Sequence, residues 1–139
     1  MRAIAHIFLL VSGICFSTMA QAQTKADSLN GAWIPIAQAM GGKAFPGTVY
    51  EKSKLIIADS TYTMIAESVD KGLVKYNGNK MDIYGKQGAN AGKHFMAIYK
   101  LENDQLTICY NLKGDSYPDG FDTSGKPLFF VSTFKKETP

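Results

Sequence analysis

Phe95-Met96-Ala97-Ile98-Tyr99-Lys100-Leu101 and Gln105-Leu106-Thr107-Ile108-Cys109-Tyr110 flank the polar triplet Glu102-Asn103-Asp104. Two aromatic and β-branched runs on either side of a short turn predict an antiparallel β-hairpin. The same grammar recurs along the chain, and no segment after residue 23 carries a sustained helical period. Residues 31–36 predict a first strand around Trp33, and residues 54–58 a short apolar strand. Residues 61–67 alternate, with Tyr62, Met64 and Ala66 on one face. Val69-Asp70-Lys71 reads as a turn. Residues 72–76 and 80–84 flank Asn77-Gly78-Asn79, where Asn-Gly suits a type I′ turn because both residues accept positive φ. Residues 94–101, 105–112 and 128–135 complete the set.

About eight short strands joined mostly by short turns, with no crossover helix, pair by default with their sequence neighbours. A sheet of that length curls, and closure removes its edges. The expected fold is all-β, an eight-stranded antiparallel up-and-down barrel. Three segments stay outside this pattern. Residues 38–45 suit a turn of helix ended by Gly41-Gly42, or a loop. Residues 85–93 form a glycine-rich loop, and residues 113–127 a long turn-rich one.

The first residues read differently. Arg2 precedes an apolar run over residues 4–16 broken only by His6, Ser12 and Gly13, and Ala20-Gln21-Ala22 is a small-x-small cleavage site. Residues 1–22 are therefore expected to be a signal peptide, with a single domain over residues 23–139 exported to the periplasm or the medium. The run is too short to span a bilayer, which takes about 20 apolar residues, and no stable membrane insertion is expected. Ile14 ahead of Cys15 is too bulky for a lipoprotein cleavage box, so lipid anchoring is not expected either.

The full chain carries a net charge of +3, and Arg2 leaves with the leader. The remaining charges are dispersed, which points away from nucleic acid. After the leader one cysteine remains, Cys109, so no internal disulfide can form. Its apolar neighbours suit a buried, inert thiol. A lone histidine, His94, one cysteine and scattered carboxylates do not supply a metal site, and no metal or cofactor is expected. No G-x-S-x-G elbow occurs, and the glycines of residues 85–92 lack the phosphate-loop spacing. With no coherent acid, base and nucleophile set, catalysis is not expected.

Leu29-Asn30-Gly31-Ala32-Trp33 resembles the Gly-x-Trp opening of lipocalin-like barrels. Ile98-Tyr99-x-Leu101-x-x-Asp104-x-Leu106-x-Ile108-Cys109 is similar to the signature of a family of small extracytoplasmic bacterial proteins of unknown function. Met81-Asp82-Ile83 matches that family's aspartate ahead of a glycine-rich loop, and residues 128–136 its closing strand. Tyr117-Pro118 stands where the family has Arg-Pro, so a role for that arginine does not carry over. The resemblance implies a lipocalin-like barrel and no particular activity.

The aromatic content gives the functional expectation. Phe95, Ala97, Tyr99 and Leu101 share one face. Leu106, Ile108 and Tyr110 share the facing one on the neighbour, and Leu128, Phe130 and Phe134 a third. Such faces form either a filled barrel core or the wall of a cavity for one small ligand. On the second reading the ligand is small and apolar or amphipathic, with Tyr62, Tyr99 and Tyr110 as wall and polar tips and Asp82 as an anchor. Apolar residues on the opposite face of the last strand require a cover, supplied by residues 38–45 or by a partner. A competing reading is an envelope-protein interaction module or inhibitor acting through Tyr117 and Phe121 in the long loop.

Overall fold

The computed structural model describes residues 28–139. The expected signal peptide and Cys15 lie outside the described residues. The strands are β1 (Gly31–Met40), β2 (Lys43–Ala44), β3 (Lys54–Ala58), β4 (Thr61–Ile65), β5 (Val69–Asn77), β6 (Lys80–Gln87), β7 (His94–Glu102), β8 (Gln105–Asn111) and β9 (Phe129–Lys136), with a 3-10 turn at Gly47–Val49. β3 pairs antiparallel with β1, and from β4 to β9 each strand pairs antiparallel with the one before it. β9 returns to β1 from Trp33↔Lys136 to Met40↔Phe130, closing an eight-stranded barrel. β2 extends only the far end of β1, at Ala39↔Ala44 and Met40↔Lys43.

The closing seam contains a proline, which lacks the N–H a central strand position needs. The register shifts between Pro35 and Ala37, so Pro35 sits at an irregularity in the ladder. Alternation decides which side chains enter the barrel. Trp33, Leu55, Ile57, Tyr62, Val74, Met81, Ile83, Ala97, Tyr99, Leu106, Ile108 and Phe134 form one buried cluster.

The two barrel ends differ in their connections. At one end, Asp59-Ser60, Gly78-Asn79 and Asn103-Asp104 are two-residue turns. The expected three-residue turn after β7 is thus a tight turn with Asn103 and Asp104 both at positive φ, the type I′ pattern. The turn after β5 is not type I′. Its central residues are Gly78-Asn79, and positive φ falls on Gly78 alone, the II′ pattern with glycine first. Leu29 and Trp33 plug this end, where Trp33 Nε1–H donates to the Leu29 carbonyl at 2.8 Å. Lys136 Nζ lies 5.5 Å from the Trp33 ring centre.

The opposite end carries the longer connections, residues 41–53, 66–68, 88–93 and 112–128. Three expectations change here. Residues 38–45 form no helix: β1 runs on to Met40, and Gly41 and Gly42, both at positive φ, turn it into β2. Val69-Asp70-Lys71 opens β5 rather than turning the chain; the turn is at residues 66–68, where Ala66 N–H donates to Ser68 O. The cover over the outer wall comes from the long loop. Ile98 and Cys109 point away from the interior, since their neighbours Ala97, Tyr99 and Ile108 face in, yet both are buried. The loop crosses above them, with Tyr117 bonded to Asp82 of β6 and Phe121 beneath Lys100 of β7. Burial pushes the Cys109 thiol up to about 11, which keeps it protonated and unreactive. No helix among the described residues is long and apolar enough to cross a membrane.

Candidate functional site

The long-loop end of the barrel holds a cavity of about 210 Å³. Its wall draws on seven strands in sequence order. β3 gives Leu55 and Ile57, β4 gives Tyr62 and Met64, β5 gives Asp70 and Val74, β6 gives Met81 and Ile83, and β7 gives Phe95. Ile108, Tyr110 and Phe130 close the circle from β8 and β9. These are inward positions of successive strands, so one alternation rule places them all. The wall is apolar apart from Asp70, Asn90 and the phenol tips of Tyr62 and Tyr110. Tyr110 stacks on Phe130 with ring centres 5.7 Å apart, and Phe45 meets Phe130 at 6.2 Å.

Burial raises the phenol pKa of Tyr62, with the charge of Asp70 adding to it. Burial also raises Tyr110, reinforced by the phenols of Tyr62 and Tyr76. Each stays protonated and able to donate. Asp70 is 9 % exposed. Its Oδ1 accepts a hydrogen bond from the Asn90 N–H at 3.0 Å, which ties the 88–93 loop to the cavity edge. Gly85 lies beneath that loop. A Cβ on it would come within 1.8 Å of the Asn90 carbonyl, so only glycine lets the loop close down this far.

The expected ligand residues divide. Tyr62 and Tyr110 line the cavity. Tyr99 faces the interior but belongs to the plugged end, where its hydroxyl donates to Gly78 O at 3.0 Å and its ring meets Tyr76 edge-on at 5.9 Å. Asp82 is not an anchor in the cavity. Met81 and Ile83 take the inward positions, and the parity of the strand sends Asp82 to the outer wall. Asp70, Asn90, Met64 and Leu112 complete the lining, and residue-by-residue reading of the sequence did not single them out as site residues.

Asp82 organises a second arrangement. Its Oδ1 lies 2.7 Å from His94 Nε2, and its Oδ2 accepts from the Tyr117 hydroxyl at 2.5 Å. His94 stacks flat on Tyr84, 4.5 Å between ring centres, and Lys80 Nζ lies 4.8 Å from the Tyr117 ring centre. His94, the first residue of β7, is thus tied to both Asp82 and Tyr84 of β6. The carboxylate stands between phenol and imidazole, so the order differs from a nucleophile–base–acid relay, in which the imidazole is central. What the cluster does structurally is latch the long loop to the barrel wall. Lys100 of β7 holds the same loop at a second point, with its Nζ 4.8 Å from the Phe121 ring centre. Among the described residues, no group of three or more His, Cys, Asp and Glu side chains is placed to hold a metal.

The latch has a pH signature. Burial pulls the Asp82 carboxyl up, but hydrogen bonds from Tyr117 and His94 and the charges of His94 and Lys75 outweigh it and hold the group below its usual range. A lowered folded value contributes stability at pH above the ordinary aspartate value, about 4, and that contribution is lost as pH falls through the folded value. The Asp82 bond, with burial and the carboxylate charge behind it, pushes Tyr117 up to about 12. That contribution is complete below the ordinary tyrosine value of about 10 and lost as pH rises toward 12. Tyr117→Phe is expected to cost about 1 kcal/mol near neutrality. In denaturant unfolding the gap to wild type should shrink below about pH 4 and again above about pH 10. A gap that stays constant across that range would separate Tyr117 from Asp82 energetically.

Against family models, curated proteins and solved structures alike, the chain shows no significant match.

Proposed function

We propose that this chain is an exported lipocalin-like protein that holds a small apolar or amphipathic molecule non-covalently in the open end of its barrel. The observation that carries the reading is the cavity of about 210 Å³, walled by inward side chains of successive strands. An apolar cavity of about 150 Å³ is enough for a benzene ring, whereas drug-sized sites run from about 300 Å³ upward. The fit is therefore a single ring or a short branched chain rather than a long acyl tail. Exposed apolar residues at the same end, Val49, Val69 and Leu128, give such a molecule an apolar rim to enter over.

Indole and 2-phenylethanol are suitable probes, and titration by ligand-observed NMR or native mass spectrometry reads them. Saturable binding is expected with Kd in the range of about 10 µM to 1 mM, given so few ligand atoms. Val74→Phe puts a ring into the cavity from β5 and should weaken both probes at least about tenfold, while costing about 1–3 kcal/mol of stability. Failure of wild type to bind either probe, or binding untouched by Val74→Phe in a folded variant, would remove the reading.

A further inference from the structure

Asp70 is the one acidic side chain in the cavity wall, and it is an unusual residue to find there. It is nine-tenths buried, and Met64 faces it across the β4–β5 pair. Its Oδ1 is used by the Asn90 amide; Oδ2 makes no hydrogen bond among the described residues. No lysine, arginine or histidine among the described residues lies within ion-pair distance of it. Oδ2 is not among the buried atoms left without a partner, so it stays open to a donor entering the cavity, and an ammonium there would form a charge-assisted hydrogen bond. The 88–91 segment does not need the second oxygen. Gly88 already packs against Oδ1, where a Cβ would stand 2.5 Å away. What Asp70 lacks is a positive partner on the cavity side.

The rest of the wall suits the body of such a partner. Phe95, Tyr110 and Phe130 put three aromatic rings in the lining, and aromatic rings attract an ammonium as well as apolar carbon. Tyr62 and Tyr110 keep their protons and so bring no competing negative charge. An anionic ligand would meet the Asp70 carboxylate in a low-dielectric setting, where like charges repel strongly.

We propose that the cavity selects a small primary or secondary amine with an apolar body, its ammonium hydrogen-bonded to Asp70 and its body among Met64, Phe95, Ile108 and Phe130. The inference rests on the ligand-binding reading above and adds the charge and the donor group of the ligand.

Three near-isosteric probes test it at neutral pH: 2-phenylethylamine, 2-phenylethanol and 3-phenylpropanoate. Wild type is expected to bind the amine at least about tenfold more tightly than the alcohol, the net of a charge-assisted hydrogen bond and the amine's desolvation. The carboxylate should bind more weakly than the alcohol. Asp70→Asn keeps a carbonyl oxygen for the Asn90 amide while removing the charge. It should bring amine and alcohol within about threefold of each other, with the alcohol little changed. The wild-type comparison needs no variant and stands even where Asp70→Asn is unstable. Equal binding of amine and alcohol, or an amine preference that survives Asp70→Asn, overturns the amine assignment while leaving the cavity as a binding site. Absence of binding by all three, the neutral alcohol included, overturns the ligand reading itself.

Discussion

Trp33→Ala is expected to destabilise the barrel by about 3–5 kcal/mol, the range for deleting a large buried aromatic side chain. Trp33 is 1 % exposed and sits where the cylinder closes, paired with Leu55 of β3 on one side and Lys136 of β9 on the other. Its removal opens a void next to Leu29 and orphans the Leu29 carbonyl, which now accepts the indole N–H. It also strips the Lys136 ammonium of the ring it lies against. Domains of this kind hold about 5–15 kcal/mol in total, so the variant should be partly unfolded at 37 °C. Trp33→Phe keeps most of the ring volume and loses the hydrogen bond, for an expected cost of about 1–3 kcal/mol. Because this is the only tryptophan of the chain, circular dichroism in urea is the suitable probe. An alanine variant within about 1 kcal/mol of wild type would mean that the plugged end contributes little to closure.

The part of the architecture legible in the sequence is the part written in two-residue alternation. Tyr62 and Met64, or Phe95, Ala97 and Tyr99, announce their shared face directly, and the cavity wall is the same alternation carried round the barrel. The same rule places Asp82 outside, because Met81 and Ile83 flank it; treating the carboxylate as an inward anchor set a chemical preference against strand parity. Asp70 was hidden by the opposite error. Val-Asp-Lys has the polarity of a turn, yet stepping back by two from Tyr76 and Val74 lands on Gly72 and then Asp70. A strand begun two residues earlier puts the acid in the interior. The signal was present in phase and masked by residue type.

Loop placement was legible in length and not in destination. The 113–127 segment is rich in turn residues, and nothing local says that Tyr117 finds a carboxylate 35 residues away. The other half of the cluster follows from the register of β6 with β7, which sets Asp82 beside His94 on the outer wall, and long-range register is what local pattern leaves open. The outward apolar character of Phe129 and Val131 on the last strand did demand a cover, and Lys126 of the loop that leads into β9 lies over the Phe129 ring, 5.0 Å from its centre.

Gly72→Ala is expected to have the second large effect, and it tests how tightly the cavity wall is packed. Gly72 pairs with Tyr62 on one side and Gly85 on the other, at a register shift that follows Lys71. A Cβ there would come 2.0 Å from the Tyr84 carbonyl oxygen and 2.7 Å from the edge of the Tyr62 ring. The first neighbour is backbone, so relief must come from parting β5 and β6 rather than from turning a side chain. We expect a loss of about 3 kcal/mol, or about 10–20 °C in Tm. Gly47→Ala and Gly120→Ala serve as controls, since a Cβ at either meets nothing within 4 Å and neither backbone is left-handed. Both should stay within about 0.5 kcal/mol of wild type, with any gain coming from a stiffer unfolded chain. The Tyr62 ring can move only by giving up its place in the cavity wall. Folded Gly72→Ala protein should therefore also bind 2-phenylethanol more weakly than wild type, whereas the two controls should not. A Gly72→Ala variant as stable as the controls would show that the two strands can separate locally without cost, and the cavity would then lack the fixed wall on which selection of a ligand by shape depends.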